Sequence, residues 1–265
     1  MIYLADCIKY RYPLFYESIK VIAGRGVLDL CFIKSKNPWS RDFYPVKIGS
    51  HLVQFNYAPF YHRQKQYKEP EPPVNLRLNK NKSLINAPFD IDGGAVIYES
   101  SKSKLFISEK YYAKEVSEFF AQMDIKCEMI FSDPDDFTGH LDGLYRILDQ
   151  FVVYSEYLDE LAPAWHEKNK QIFQNLGYAL MKIPDVGIYQ GADYFKGTYL
   201  NFLIHETTIL LPKSTPPGLQ LDKITAIEKI VERFFSSEFG LKAIWVNCDE
   251  PMNDGGAIHC LTWDD

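Results

Sequence analysis

One order of local patterns keeps returning from residue 95 onward: two short β-rich runs, an amphipathic helical stretch and a third β-rich run, each set off by turn residues. Residues 95–98 and 104–107 read as strands, 111–122 as a helix and 128–131 as a further strand. Residues 144–148 and 151–154 then form a predicted hairpin around Asp149 and Gln150, followed by a helix over 163–176. The order recurs with strand-like runs at 198–204 and 208–211, a helix over 222–236 and a strand at 244–246. Along that helix Ile224, Ile227, Ile230, Val231 and Phe234 keep the spacing of an ordinary core-facing stripe. A unit of two strands, a helix and a strand that repeats in this way points to radial or solenoid repetition rather than one doubly wound sheet.

Two stretches interrupt the pattern. Residues 65–82 are rich in proline and charge, and residues 213–218 contain Pro216, Pro217 and Gly218, so both read as solvated loops. Neither has the character of an interdomain linker, and residues 1–265 are expected to form a single domain. A formal net charge of −6 argues against a nucleic-acid surface, which needs clustered Lys and Arg, and weakly suits a cationic substrate. The N-terminal residues show no basic leader followed by an apolar stretch, and no window is apolar enough to span a bilayer. A cytoplasmic protein without membrane contact is therefore expected. The five cysteines, Cys7, Cys31, Cys127, Cys248 and Cys260, have no paired spacing, which speaks against a disulfide framework or a structural zinc site.

Four segments combine reactive side chains with turn residues: Trp-Ser-Arg-Asp at 39–42, Asp-Gly-Gly at 92–94, Gly-His-Leu-Asp at 139–142, and Gly-Gly-Ala-Ile-His-Cys at 255–260. Each alone has a plain structural explanation. A His-x-Asp pair is more often a surface loop than a site, paired glycines usually mark a turn or a close backbone approach, and a lone cysteine usually behaves as a small hydrophobe. On an extended segment, however, His140 and Asp142 would project to one face, where an imidazole and a carboxylate can act on one substrate.

In this order the four segments resemble the agmatine deiminase and bacterial-type peptidylarginine deiminase family of guanidine-modifying enzymes. Residues 198–204 with 209–212 are similar to the strand pair before that family's final helix, and the resemblance spans roughly 37–262. It implies the pentein fold, a five-bladed α/β propeller of ββαβ units, and no metal or cofactor. It also implies catalytic roles for Cys260 as nucleophile, His140 as general acid and base, and Asp92 as the acid that orients the histidine. Asp42 and Asp142 match the positions that clamp the substrate, and Trp39 lies where it could wall the pocket. Many relatives carry Glu where this chain has the shorter Asp92.

Those residue types suit the chemistry. A guanidinium is planar and permanently charged, so it is a poor electrophile that carboxylates can hold through its N–H groups. A thiolate is strong enough to attack its carbon and able to leave again. The resemblance implies attack by Cys260, loss of ammonia protonated by His140, and hydrolysis of a thiouronium intermediate to a ureido product. Agmatine is the leading substrate, giving N-carbamoylputrescine. Deimination of arginine, free or in a peptide, amidino transfer, and a non-catalytic guanidine-binding pentein are the alternatives. The contacts that would separate them are expected around 57–68 and 187–196. The expected partner is thus a small cationic guanidino compound, and a homo-oligomer is compatible with this reading. A metal enzyme using His140, Asp142, His259 and Cys260 is a further alternative on ligand type, but neighbouring His and Cys residues on a strand would face opposite ways. On that ground His259 is expected to be a structural hydrogen-bonding neighbour, and Arg41 to pair with a carboxylate as readily as to act on substrate. His51, His62, His166 and His205 match no motif.

Overall fold

The central strand of each predicted unit is a run of consecutive apolar residues, a pattern tolerated where both faces of a strand are covered. The computed structural model, which describes residues 1–59, 83–161, 163–186, 198–216 and 218–264, shows that covering. Leu105, Phe106 and Ile107, Val152 and Val153, and Ile209, Leu210 and Leu211 are all fully buried.

The described residues form five three-stranded sheets, the blades expected of a pentein propeller. In the first, β1 (Ile2–Ala5) runs parallel to β2 (Leu30–Ile33), with α1 (Ile8–Arg11) and α2 (Pro13–Gly24) between them. After α3 (Ser40–Phe43) the second blade contains β3 (Val46–Ile48), β4 (His51–Asn56) and β5 (Ser83–Asp90). A 3₁₀ turn (Gly93–Ala95) leads into the third, made of β6 (Val96–Glu99), β7 (Lys104–Ser108), α4 (Lys114–Ala121) and β8 (Lys126–Ile130). The fourth has β9 (Tyr145–Leu148), β10 (Phe151–Ser155), α5 (Glu156–Leu161), α6 (Ala164–Asn175) and β11 (Ala179–Ile183). The fifth has β12 (Leu203–His205), β13 (Thr208–Lys213), α7 (Leu221–Phe239) and β14 (Lys242–Asn247). Then α8 (Asp249–Asn253) and α9 (Ile258–Leu261) lead to β15 (Thr262–Asp264), which pairs antiparallel with β1 and completes the first blade.

Every blade pairs its first two strands antiparallel and its second and third parallel. The hairpins carry the repeat in their backbone. Gly49, Ser103, Asp149 and Glu206, each in the turn between the two antiparallel strands, all have positive φ. Left-handed residues there match the twist of tight hairpins.

The closing strand is held by aromatic packing. Trp263 stacks on Tyr44 at 4.6 Å, lies 4.8 Å from Tyr3, and donates its indole N–H to the Pro45 carbonyl. Truncating a tryptophan buried in this way costs about 3–5 kcal/mol, so β15 and the segment before it are firmly located.

Two expectations change. The helix predicted over 111–122 begins only at Lys114, because the Tyr111 hydroxyl is drawn away to bond Asp92 and the Thr138 carbonyl. The strand predicted over 198–204 begins only at Leu203, because Asn201 turns to the site described below. The loops expected at 65–82 and 187–196, with His62, lie outside the described residues. Among the described residues no helix is long and apolar enough to cross a membrane.

Candidate active site

The short segment that leads into the first strand of each blade supplies the site. Asp42 comes from α3 before β3, Asp92 from the turn before β6, and His140 and Asp142 from the loop before β9. Asn201 precedes β12 and Cys260 lies in α9 before β15. Repetition of the blade therefore brings five distant stretches of sequence to one place.

Glycines allow the close approach. A Cβ on Gly94 would lie 2.6 Å from His140 Nδ1, and one on Gly256 would lie 2.5 Å from the Trp39 ring and 3.2 Å from Cys260 Cβ. One on Gly93 would meet the Arg41 carbonyl oxygen at 2.0 Å. Gly93, Gly94 and Gly256 are thus required by contact, whereas a Cβ on Gly255 would meet nothing within 4 Å and that glycine is favoured by its positive φ of 89°. The Gly94 carbonyl accepts hydrogen bonds from the Leu141 and Asp142 amides at 2.8 and 3.3 Å. One glycine therefore ties together two of the segments, 92–94 and 139–142.

His140 Nε2 lies 3.3 Å from Asp92 Oδ2 and 3.9 Å from Asp42 Oδ1. The shorter Asp92 side chain does reach the ring, and it also accepts the Tyr111 hydroxyl at 2.8 Å. Burial works against charge on His140, but Asp42, Asp92 and Asp142 overcome it and raise its pKa to about 10. Asp42 moves up to about 7, mainly because it is buried and partly because of the other carboxylates, with His140 opposing the shift. Its Oδ1 is buried and accepts no hydrogen bond.

Cys260 Sγ lies 3.7 Å from Asp142 Oδ2 and receives the Asn201 side-chain N–H at 3.1 Å, while the Cys260 amide donates to Asn201 Oδ1 at 3.2 Å. Burial, then Asp142 and Asp42, push the thiol pKa up in the free protein. Asp142 also accepts His259 Nδ1–H at 2.5 Å. Burial opposes its ionisation, but His259, His140 and Arg146 hold its pKa below the usual carboxylate range.

The expectation that His259 and Cys260 face apart is corrected. They lie in the single helical turn of α9 rather than on a strand, and both reach the same Asp142 oxygen. Arg41 pairs with Asp264 at 2.9 Å, tying α3 to β15. Trp39 is 9% exposed and packs near Tyr12 and over Gly256, so it borders the site chiefly as a buried wall.

The residues not anticipated from sequence are Asn201, Tyr111 and Arg146. Asn201 carried a signal: an amide inside the apolar run 198–204 must find a buried partner. Arg146, on β9, packs over the Phe202 ring at 4.6 Å and acts on Asp142 and His259 through its charge.

Among the described residues, the side chains of metal-binding type whose ligand atoms gather are Asp159, His166 and Glu167. The ammonium groups of Lys170 and Lys182 already lie 3.1 and 3.3 Å from Asp159 and supply positive charge there. The alternative set of His140, Asp142, His259 and Cys260 does not form such a group.

Residues 15–265 match the family described as Porphyromonas-type peptidyl-arginine deiminase. No curated protein matches the sequence. Among solved structures, agmatine deiminase from C. jejuni with substrate bound is similar at a TM-score of 0.67 and 16% identity, over 99% of this chain and 92% of that one. Agmatine deiminase from Enterococcus faecalis is similar at 0.59 and 15%, over 99% and 92%. A dimethylarginine dimethylaminohydrolase adduct is similar at 0.57 and 12%, over 98% and 97%. At such identities these likenesses bear on the fold, which is the pentein.

Proposed function

This chain belongs to the Porphyromonas-type peptidyl-arginine deiminase family, hydrolases of carbon–nitrogen bonds in linear amidines, and on that premise we propose that it converts a guanidino substrate to a ureido product and ammonia through Cys260. The observation that carries the reading is the charge of the site. Three buried carboxylates, Asp42, Asp92 and Asp142, surround His140, and a buried oxygen of Asp42 accepts no donor. A guanidinium brings both the positive charge and the N–H donors that this arrangement calls for.

Binding also activates the nucleophile. The thiol is held protonated by burial and by Asp142 and Asp42, and a cation placed between those carboxylates offsets them. The thiol then releases its proton to solvent, and the thiolate forms a bond to the guanidino carbon while the C=N electron pair moves onto nitrogen. His140, still an imidazolium at neutral pH, protonates the departing nitrogen, the C–N bond breaks and ammonia leaves. Water adds to the thiouronium carbon and gives a proton to the now neutral His140. Collapse forms the C=O bond and breaks the C–S bond, the hydroxyl proton passes to solvent, and the thiolate returns with the ureido product. Asn201, which donates to sulfur, stabilises the thiolate at both ends of the cycle.

Agmatine is the proposed substrate and arginine, free or in a peptide, the second reading. A cytoplasmic setting suits either small cation. The test is release of ammonia and ureido product from agmatine, arginine and arginine-containing peptides, with Cys260→Ala as control. Turnover lost in the variant supports the proposal, and no turnover across the panel overturns it.

A further inference from the structure

We propose that His259 is a positioning residue for the reaction: its Nδ1–H fixes one oxygen of Asp142 and so aims the other at the substrate guanidinium. The inference rests on the deiminase reading above and adds a residue to it.

The geometry is specific. His259 Nδ1 lies 2.5 Å from Asp142 Oδ2, and both side chains are almost wholly buried, at 12% and 3% exposure. Asp142 Oδ1 accepts no hydrogen bond from the described residues, so one carboxylate oxygen is tied and one is left for a ligand. His259 is itself held from both sides of its backbone. Its amide donates to the Asn201 carbonyl at 3.2 Å, and its carbonyl accepts Arg41 Nε at 3.5 Å. Asn201 is also the partner of Cys260. One short frame therefore sets the distance between the nucleophile and the clamp, and the adjacent His and Cys of α9 serve as its two ends.

The charges facing this pair favour a neutral histidine that donates to an ionised carboxylate. Arg146 from β9 and Arg41 from α3 lie on the His259 side, His140 and Cys260 face Asp142, and Asp264 from β15 balances Arg41. Burial and the two arginines pull the His259 pKa down to about 3, so the ring carries one proton across the working range. With that proton on Nδ1, the tautomer is fixed by Asp142 itself. A cationic histidine would compete with a guanidinium for the carboxylate. A neutral one orients the carboxylate and leaves its charge to the substrate.

The test compares His259→Leu, which removes the donor, with His259→Asn, whose side-chain amide can replace Nδ1–H, and His259→Gln, whose donor lies one bond too far out. Kinetics give one readout. His259→Leu is expected to lower kcat/KM at least tenfold and to move the acidic limb of its pH profile upward, because Asp142 loses its donor. His259→Asn is expected to recover most of both, and His259→Gln little of either. A second readout needs no turnover: calorimetric binding of agmatine and of arginine to folded Cys260→Ala protein, with and without His259→Leu. Weaker binding with an upward-shifted pH midpoint supports the role. Equal affinity and equal pH dependence overturn it while leaving the deiminase reading intact. If neither ligand binds the folded Cys260→Ala protein, the deiminase reading falls and this inference falls with it. Should His259→Leu fail to fold, the contrast between the Asn and Gln variants decides the question, and equal behaviour of those two overturns the proposal.

Discussion

Replacing Gly94 with alanine should disable the enzyme without unfolding it. The added methyl would start 2.6 Å from His140 Nδ1, 2.9 Å from Cγ and 3.0 Å from Cε1, whereas ordinary contact begins at 3.4 Å. The ring must therefore retreat by about 0.8 Å, since the opposing atoms belong to a side chain that can move. Any such retreat disturbs the placement of Nε2 against Asp92 and Asp42, which lie 3.3 and 3.9 Å from it. Misplacing a catalytic group by about 1 Å can cost 10²-fold in rate, and that is the expected fall in kcat, beside overpacking of about 1–3 kcal/mol in stability. Gly143→Ala is the control, because a Cβ there meets nothing within 4 Å. The assay is ureido-product formation on the substrate turned over by the wild-type protein, paired with thermal unfolding of both variants. A folded Gly94→Ala protein with kcat within about twofold of wild type would refute the placement of His140 over this glycine.

Because Asp42 titrates at about 7 and His140 at about 10, kcat/KM should rise with pH as the clamp ionises and fall again as the imidazolium is lost; a profile flat through both regions would contradict these roles. Asn201→Leu deletes both hydrogen bonds to Cys260, each worth about 1 kcal/mol, and should lower kcat about 30-fold with the fold retained on circular dichroism. Tyr111→Phe removes the hydroxyl donor of Asp92, and a roughly tenfold loss of kcat with a barely changed Tm is expected, whereas unchanged kcat would show that Asp92 is held without it. His259 is neutral when folded, with its pKa lowered to about 3, so between pH 6.5 and that value the unfolded chain binds the extra proton and acid weakens the fold. The slope from this group is at most about 1.4 kcal/mol per pH unit, and His259→Asn should remove it in urea titrations run from pH 4 to 7.

What the sequence revealed of this protein, and what it concealed, follows from the blade. The third, fourth and fifth blades were legible because each has its central apolar strand, its hairpin and its helix contiguous in the chain, as in residues 144–183. The first was not, because its strands come from opposite ends of the sequence and β15 is only three residues long. The same logic governs the site. Each blade offers the segment before its first strand, and four of these five segments carry glycines or charges that no apolar core would contain, so Asp42, Asp92, His140, Asp142 and Cys260 could be picked out. The fifth segment, 198–202, is apolar except for Thr198 and Asn201, and its burial made it resemble a strand. His259 was hidden differently. Its role depends on α9 being a helical turn, and a four-residue helix between Ala257 and a strand leaves too short a pattern for periodicity to detect. A strand would have sent His259 away from Asp142. The turn brings it to the same carboxylate oxygen as Cys260, which makes backbone geometry at one residue pair the feature that joins both side chains to Asp142.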